Sequence, residues 1–130
     1  YKEMLGEKDI EVYSTCEHHI VSIVGKAHVA YFTNEKVIGL SKINRIVQYF
    51  AKRPQVQERL TIQIVNKLKE VLKTEDVACV IVAKHLCVNS RGVKDSRSST
   101  ITASYSGKFN EPEVRAEFLK HASIETKLDI

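Results

Sequence analysis

Apolar residues recur along this chain with two different periods, which predict where strands and helices lie. Residues 9–15 and 20–33 are rich in β-branched and aromatic residues and predict two strands, with a turn or bulge at Gly25 in the second. Residues 76–88 form an apolar run that predicts a buried strand. Residues 100–106 alternate between apolar and polar positions, as a fourth strand does.

Helical spacing appears between the second and third predicted strands. Ser41 is expected to be the N-cap of a first helix, and Pro54 ends that helix and can occupy the first turn of a second. The apolar face of the first helix consists of Ile43, Ile46, Val47 and Phe50. The buried stripe of the second consists of Val56, Leu60, Ile64, Leu68 and either Val71 or Leu72. A short helix is predicted after Pro112, with Val114, Phe118 and His121 toward its inner side.

The predicted order is two strands, two helices, two strands and a C-terminal helix. Strands and helices grouped in this way favour an α+β fold with an antiparallel four-stranded sheet and helices on one face. Residues 34–36 are expected to form a turn between the second strand and the first helix. The chain has no internal repeat, low-complexity segment or linker, so residues 1–130 are predicted to be one domain.

Composition narrows the classes of function. The net charge is +4, which is compatible with a solvated surface or with a phosphate-bearing small molecule. No dense Lys/Arg block with interleaved aromatics occurs, which argues against nucleic-acid binding, and no apolar run is long enough to span a membrane. The three cysteines are an odd number, more typical of thiols or metal ligands in the cytoplasm than of disulfides.

Two short segments carry potential zinc ligands. Cys16 and His19 have the two-residue gap that a tight turn can bring onto one metal, and His18 lies between them. His85 and Cys87 are two residues apart at the end of a predicted strand, so their side chains share a face. Spacing alone leaves all five as candidates, with three ligands for a catalytic site or four for a structural one. Cys79 has no polar neighbours and is expected to be a core thiol.

A further set of polar residues could bind a nucleotide. Lys42 and Arg45 share a face of the first helix, Gln57 and Glu58 lie in the first turn of the second, and Arg91 follows the third long strand. Taken singly, each is typical of a solvated surface. Together they offer cations for phosphate and a carboxylate that can accept two N–H bonds from a guanine edge.

Four stretches of the chain closely resemble GTP cyclohydrolase I: STCEHH, VIGLSKINRIVQYFAKRPQVQERLT, HLCV and SRGVKDSRSST. The resemblance extends from about residue 9 to about residue 119. It implies the tunnelling fold and assembly into ring-shaped decamers of two pentameric rings, with active sites at subunit boundaries. Members of that family carry a helical segment before the first strand, so this sequence is expected to be a fragment or a minimal version.

The resemblance also assigns roles to residues. The implied zinc ligands are Cys16, His19 and Cys87, and the implied proton-transfer residues are His18 and His85. The implied contacts of the triphosphate are Lys42, Arg45 and Arg91. Glu58, with Gln57, would hold the guanine, and Ser41 lies where it could touch the ribose or a phosphate.

The implied reaction is zinc-dependent hydrolysis of GTP. The purine opens at C8, formate leaves, and rearrangement gives 7,8-dihydroneopterin triphosphate, the first step toward tetrahydrofolate and pterins. In the proposed order His85 protonates N7 and His18 assists as the ring opens. Two alternatives remain: a tunnelling-fold enzyme acting on another purine or pterin, and a non-catalytic module that binds zinc or a nucleotide.

Overall fold

Five strands form one mixed sheet in the computed structural model, which describes residues 3–16, 21–33, 39–86 and 98–125. The strands are β1 (Met4–Cys16), β2 (Ser22–Phe32), β3 (Pro54–Gln55), β4 (Val77–Leu86) and β5 (Thr100–Tyr105). The helices are α1 (Leu40–Ala51), α2 (Gln57–Leu72) and α3 (Pro112–Ala122), with a 3₁₀ turn at Gly107–Asn110. The strand order is β3-β1-β2-β4-β5.

The four long strands and the three helices confirm the predicted α+β fold, with two differences from the expected arrangement: the sheet has a further strand, and α3 lies on the opposite face of the sheet from α1 and α2. The sheet has five strands rather than four, because β3 lies between α1 and α2 and pairs in parallel with the end of β1. Pro54 begins β3, so its predicted place in the first turn of α2 is wrong. An edge strand tolerates proline because the missing N–H removes no central ladder bond.

The main core lies between one face of the sheet and the pair α1 and α2. It is formed by apolar side chains from β1, β2, β4 and both helices, including Val12, Ile23, Ile43, Leu60, Ile64 and Ile81. A smaller cluster lies on the other face, where the 3₁₀ turn and α3 cover Ala30, Ala78 and Val80 with Phe109 and Phe118. His121, which was expected toward the inner side of α3, is exposed.

The irregularity predicted at Gly25 is instead found in β1. The β1–β2 register shifts between Glu7 and Ile10, where Asp9 has a positive φ of 62°. Asp9 donates its backbone N–H to Nδ1 of His28 over 3.1 Å. β2 runs without a break through Gly25, where a Cβ would collide with the carbonyl oxygen of Val82. The glycine therefore allows β2 and β4 to approach closely.

Two further local predictions change. Helix α1 begins at Leu40 with Gly39 as its N-cap, so the expected N-cap role of Ser41 is wrong. In β5 the alternation is confirmed, but its polar face turns inward: Thr102 is buried against α2 while Ile101 is 66% exposed. Among the described residues, no helix is long and apolar enough to cross a membrane. The predicted turn at residues 34–36 lies outside the described residues.

Candidate active site

Three central strands end together at one end of the sheet. Ser14 of β1 is opposite Ile23 of β2, and Ile23 is in turn opposite His85 of β4. Cys16 follows at the end of β1 and donates its backbone N–H to the carbonyl oxygen of Val21 over 2.7 Å. Since β2 lies between them, β1 and β4 are about 10 Å apart. The ends of these strands therefore bring Cys16 and His85 to the same region.

Strand β3 brings the start of α2 to this region as well. Gln55 pairs with Cys16, and α2 begins two residues later at Gln57. Glu58 is exposed in the first turn, where a carboxylate is favoured by the partial positive charge at a helix N-terminus. Gln57 accepts a hydrogen bond at its Oε1 from Nε2 of His85, over 2.9 Å.

Cys16 and His85 also share a face of the sheet. Side chains alternate along a strand, and Val12 and Cys16 both belong to the core cluster beneath α1 and α2. His85 is directed to the same face, where it meets Gln57. Cys16 is a free thiol with 8% of its surface exposed, whereas His85 is exposed.

The donor types at this end of the sheet suit zinc, which binds thiolate sulfur and imidazole nitrogen. His18, His19, Cys87 and Arg91 lie outside the described residues. Within the described part of the chain, no group of three His, Cys, Asp or Glu residues is arranged to hold a metal ion. Of the five predicted donor residues, the structure describes Cys16 and His85. His18, His19 and Cys87 are assigned from the sequence alone.

The remaining thiol behaves as predicted. Cys79 is fully buried within β4, and burial raises the pKa of its thiol to about 12. A thiol with so high a pKa stays protonated near neutral pH and is a poor metal ligand, because the thiolate is the binding form. The prediction of a core cysteine is confirmed.

The predicted phosphate-binding residues lie away from this region. Helix α1 runs along β1 toward Cys16, since Gln48 donates to the carbonyl oxygen of Glu11 and Ser14 donates to that of Arg53 near the helix end. Ser41 is ten residues before the last residue of α1, about 15 Å along the helix axis. Ser41, Lys42 and Arg45 are all exposed. The structure therefore does not bring them to Cys16 and His85 within one chain.

Lys42 and Arg45 instead line an open groove between α1 and α2 of about 580 Å³. The groove also contains Arg53, which adds positive charge, and Lys67, whose Nζ lies 3.6 Å from a carboxylate oxygen of Glu70. Arg53 lies over the ring of Tyr49, 4.9 Å from its centroid, and donates to the Tyr49 hydroxyl over 2.7 Å. This surface suits an anionic ligand or partner.

Two polar residues that contact Gln57 were missed by the sequence analysis. Thr61 and Thr102 are buried, and their hydroxyl oxygens are 2.7 Å apart. Thr61 is one helical turn after Gln57, so a polar pair on a buried helix face was a visible signal. The partner on β5 was not visible, because it is 41 residues away in the sequence.

Comparisons with known proteins agree on one family. The family profile described as GTP cyclohydrolase I matches residues 1–123. A GTP cyclohydrolase 1 of Flavobacterium johnsoniae is 64% identical over 127 residues, which cover 98% of this chain and 57% of that protein. One of Aeromonas hydrophila is 61% identical over 118 residues, which cover 90% of this chain and 54% of that protein. The chain thus spans just over half the length of these relatives.

A solved structure is similar in fold. The crystal structure of the archaeosine synthase QueF-Like in the apo form matches with a TM-score of 0.58, covering 82% of this chain and 93% of that one. The sequences are 14% identical, so the likeness concerns the fold alone. It confirms the predicted α+β tunnelling fold.

Proposed function

Because this chain belongs to the GTP cyclohydrolase I family, we propose that it performs the zinc-dependent hydrolysis of GTP to 7,8-dihydroneopterin triphosphate, with release of formate. This is the first step toward tetrahydrofolate and pterins. One observation carries the proposal: Cys16, His85 and the start of α2 meet at one end of the sheet. These are groups to which the resemblance assigns roles in one active site.

The proposed zinc ligands are Cys16, His19 and Cys87. Two thiolates and one imidazole suit zinc and leave a fourth position for water, as in catalytic rather than structural sites. When bound there, zinc would supply an activated water for attack on C8 of the purine.

The protein's own residues supply binding and proton transfer in this proposal. Glu58 is exposed at the start of α2, where its carboxylate can accept two N–H bonds from the guanine edge. His85, which is exposed and hydrogen-bonded to Gln57, the residue before Glu58, exchanges a proton with the purine, and His18 assists as the ring opens. Holding the base at Glu58 keeps C8 in reach of both, which is a positioning effect.

The triphosphate contacts are proposed to come from a second copy of the chain. Ser41, Lys42 and Arg45 lie toward the far end of α1 from Cys16, which favours a site completed by a neighbouring subunit. The sheet itself supports assembly, because among the described residues β5 is an edge strand and β3, at the other edge, pairs with Thr15 and Cys16 alone. Edges of this kind can pair with another chain.

We propose a decamer of two pentameric rings, with GTP as the substrate and Arg91 as a further triphosphate contact. The cytoplasm is the proposed location, because Cys16 and Cys79 are free thiols and a reducing compartment maintains them in that state. No role in binding nucleic acid is proposed.

The test is incubation of the zinc-loaded, full-length protein with GTP. We expect formate and, after oxidation, a fluorescent pterin. Cys87→Ser should lose zinc and activity together, whereas His85→Ala should retain zinc and lose turnover by about 10²- to 10⁴-fold, the range for a proton-transfer group. If His85→Ala removes the metal, the ligand set is wrong. If the assembled, metal-loaded protein yields neither product, the enzymatic proposal fails.

A further inference from the structure

Gln57 occupies an unusual position for a residue expected to contact a substrate. Only 1% of its surface is exposed, although it carries a polar amide. Its Nε2 lies 3.2 Å from the carbonyl oxygen of Ile81, 3.0 Å from that of Thr100 and 3.1 Å from Oγ1 of Thr102. Backbone carbonyl oxygens only accept hydrogen bonds, so the amide nitrogen has to be on this side. Its oxygen Oε1 therefore faces His85.

Two threonine hydroxyls continue this network in a fixed direction. Thr61 donates its only hydrogen to the backbone oxygen of Gln57, over 2.9 Å. The hydrogen in the 2.7 Å contact between the two hydroxyls therefore comes from Thr102, which donates to Thr61. Thr102 can then accept from Gln57 Nε2. The result is a closed cycle from the Gln57 side chain through Thr102 and Thr61 to the Gln57 backbone.

This cycle determines which nitrogen of His85 carries hydrogen. Because Oε1 of Gln57 can only accept, Nε2 of His85 has to donate. A neutral His85 therefore holds its hydrogen on Nε2 and has a lone pair on Nδ1. A hydrogen-bond partner that fixes which ring nitrogen of a histidine carries hydrogen also fixes the orientation of the ring.

We infer that Gln57, held by Thr102 and Thr61, is a positioning residue that leaves Nδ1 of His85 as the nitrogen that exchanges a proton with the purine. In the doubly protonated imidazolium form Nδ1 also carries a hydrogen. When Nδ1 gives this proton to N7 of the purine, its N–H bond breaks and its electron pair stays on the ring, while the N7 lone pair forms the new N–H bond. The neutral product is the Nε2–H form that Gln57 binds. The inference rests on the proposed function of His85 and deepens it.

The inference changes the role of Gln57 and leaves the guanine to Glu58. Both hydrogens of the Gln57 amide are directed at protein acceptors, and its oxygen faces His85. Glu58, the next residue, is exposed and free to face a ligand. Loss of Gln57 support should consequently affect turnover more than substrate binding.

The kinetic test uses Thr102, which is buried behind Gln57 and does not reach a substrate. Thr102→Val keeps the side-chain shape but removes the hydroxyl, and Thr102→Ser retains the hydroxyl. In the zinc-loaded, full-length protein we expect Thr102→Val and Gln57→Leu to lower kcat about 10- to 100-fold with the KM for GTP nearly unchanged. Thr102→Ser should restore kcat. Ser104→Ala, a hydroxyl deletion on the same strand, is the matched control.

The second readout does not depend on activity. Nitrogen NMR of protein labelled with ¹⁵N-histidine reports which ring nitrogen carries hydrogen, and His85→Gln identifies the His85 signals. We expect hydrogen on Nε2 in the unaltered protein and a mixture of tautomers in Gln57→Leu and Thr102→Val. Thr102→Val decides the test if Gln57→Leu does not fold.

Three results would overturn the inference: hydrogen on Nδ1 in the unaltered protein, an unchanged tautomer in both variants, or a raised KM with unchanged kcat in Gln57→Leu. The last result would make Gln57 a guanine contact. Absence of any reaction with GTP would refute the proposed function instead, and the NMR result would still test the support of His85 by Gln57.

Discussion

Three buried polar side chains, those of Gln57, Thr61 and Thr102, have identifiable partners, and the partners explain their roles. Gln57 and Thr102 are buried within a hydrogen-bonded cycle beside His85. An unpaired buried amide or hydroxyl costs about 1–3 kcal/mol, so satisfied groups of this kind hold a site in one geometry. His28 is a second example, on the opposite face of the sheet.

His28 is expected to make stability depend on pH. Burial lowers the pKa of His28 below 6.5. The negative charge of Asp9 raises this pKa, and the positive charges of Lys8 and Lys26 lower it. Nδ1 accepts the Asp9 backbone N–H and cannot do so when protonated. Below pH 6.5 the unfolded chain therefore binds a proton that the native chain does not, and the free energy of unfolding falls as the pH drops.

Urea unfolding at about pH 7.5 and about pH 5.5 measures this effect, with His28→Gln as the control that removes the titrating group. The difference between the two pH values should be smaller in His28→Gln. Burial raises the pKa of the Glu7 carboxyl. This shift makes the free energy of unfolding rise as the pH drops, but at more acidic pH than the effect of His28. An identical pH dependence in both proteins would exclude His28 as its source.

At the scale of elements, the sheet depends on close contacts between strands. A Cβ at Gly25 would collide with the Val82 carbonyl oxygen and with the backbone of Ala83. Gly25→Ala should therefore separate β2 from β4 next to His85 and lower the free energy of unfolding by about 1–3 kcal/mol, as overpacking does.

Gly39→Ala provides the matched comparison. Gly39 is the N-cap of α1 with a φ of −66°, and a Cβ there would have Oγ of Ser41 as its nearest neighbour at 3.9 Å. We expect a loss of less than about 1 kcal/mol, the usual difference between glycine and alanine at an N-cap. Equal losses in the two variants, measured by urea unfolding, would contradict the close approach of β2 and β4.

Hydrophobic patterns predicted the long strands and the helices, because β1, β2, α1 and α2 bury apolar residues at regular spacing and β4 begins as an apolar run buried on both faces. It did not predict β3, whose two residues pair with the end of β1 only after the chain has folded. The bulge appears at Asp9 rather than Gly25, because strand partners determine where a register shifts. β1 also begins earlier than predicted, since charged residues interrupt its apolar pattern.

At the scale of the whole molecule, the site residues divide into two groups. Cys16, His85 and Glu58 belong to one end of the sheet, whereas Lys42 and Arg45 lie toward the other end of α1. The sequence analysis placed Glu58 in one set with Lys42 and Arg45, and it did not predict this separation, because the direction of α1 along β1 depends on tertiary contacts. A site completed by a second copy reconciles the two groups.

The most direct test mixes two inactive variants of the full-length protein, His85→Ala and Arg45→Ala, and lets the subunits reassemble. Each site combines the half that contains His85 from one chain with the half that contains Arg45 from its neighbour. Random assembly should leave both halves intact at about a quarter of the sites, so activity with GTP should rise well above that of either variant. His85→Ala mixed with Glu58→Ala is the control and should remain inactive, since both changes affect the same half. Mixed oligomers of His85→Ala and Arg45→Ala that form but regain no activity would contradict a GTP site shared between two copies.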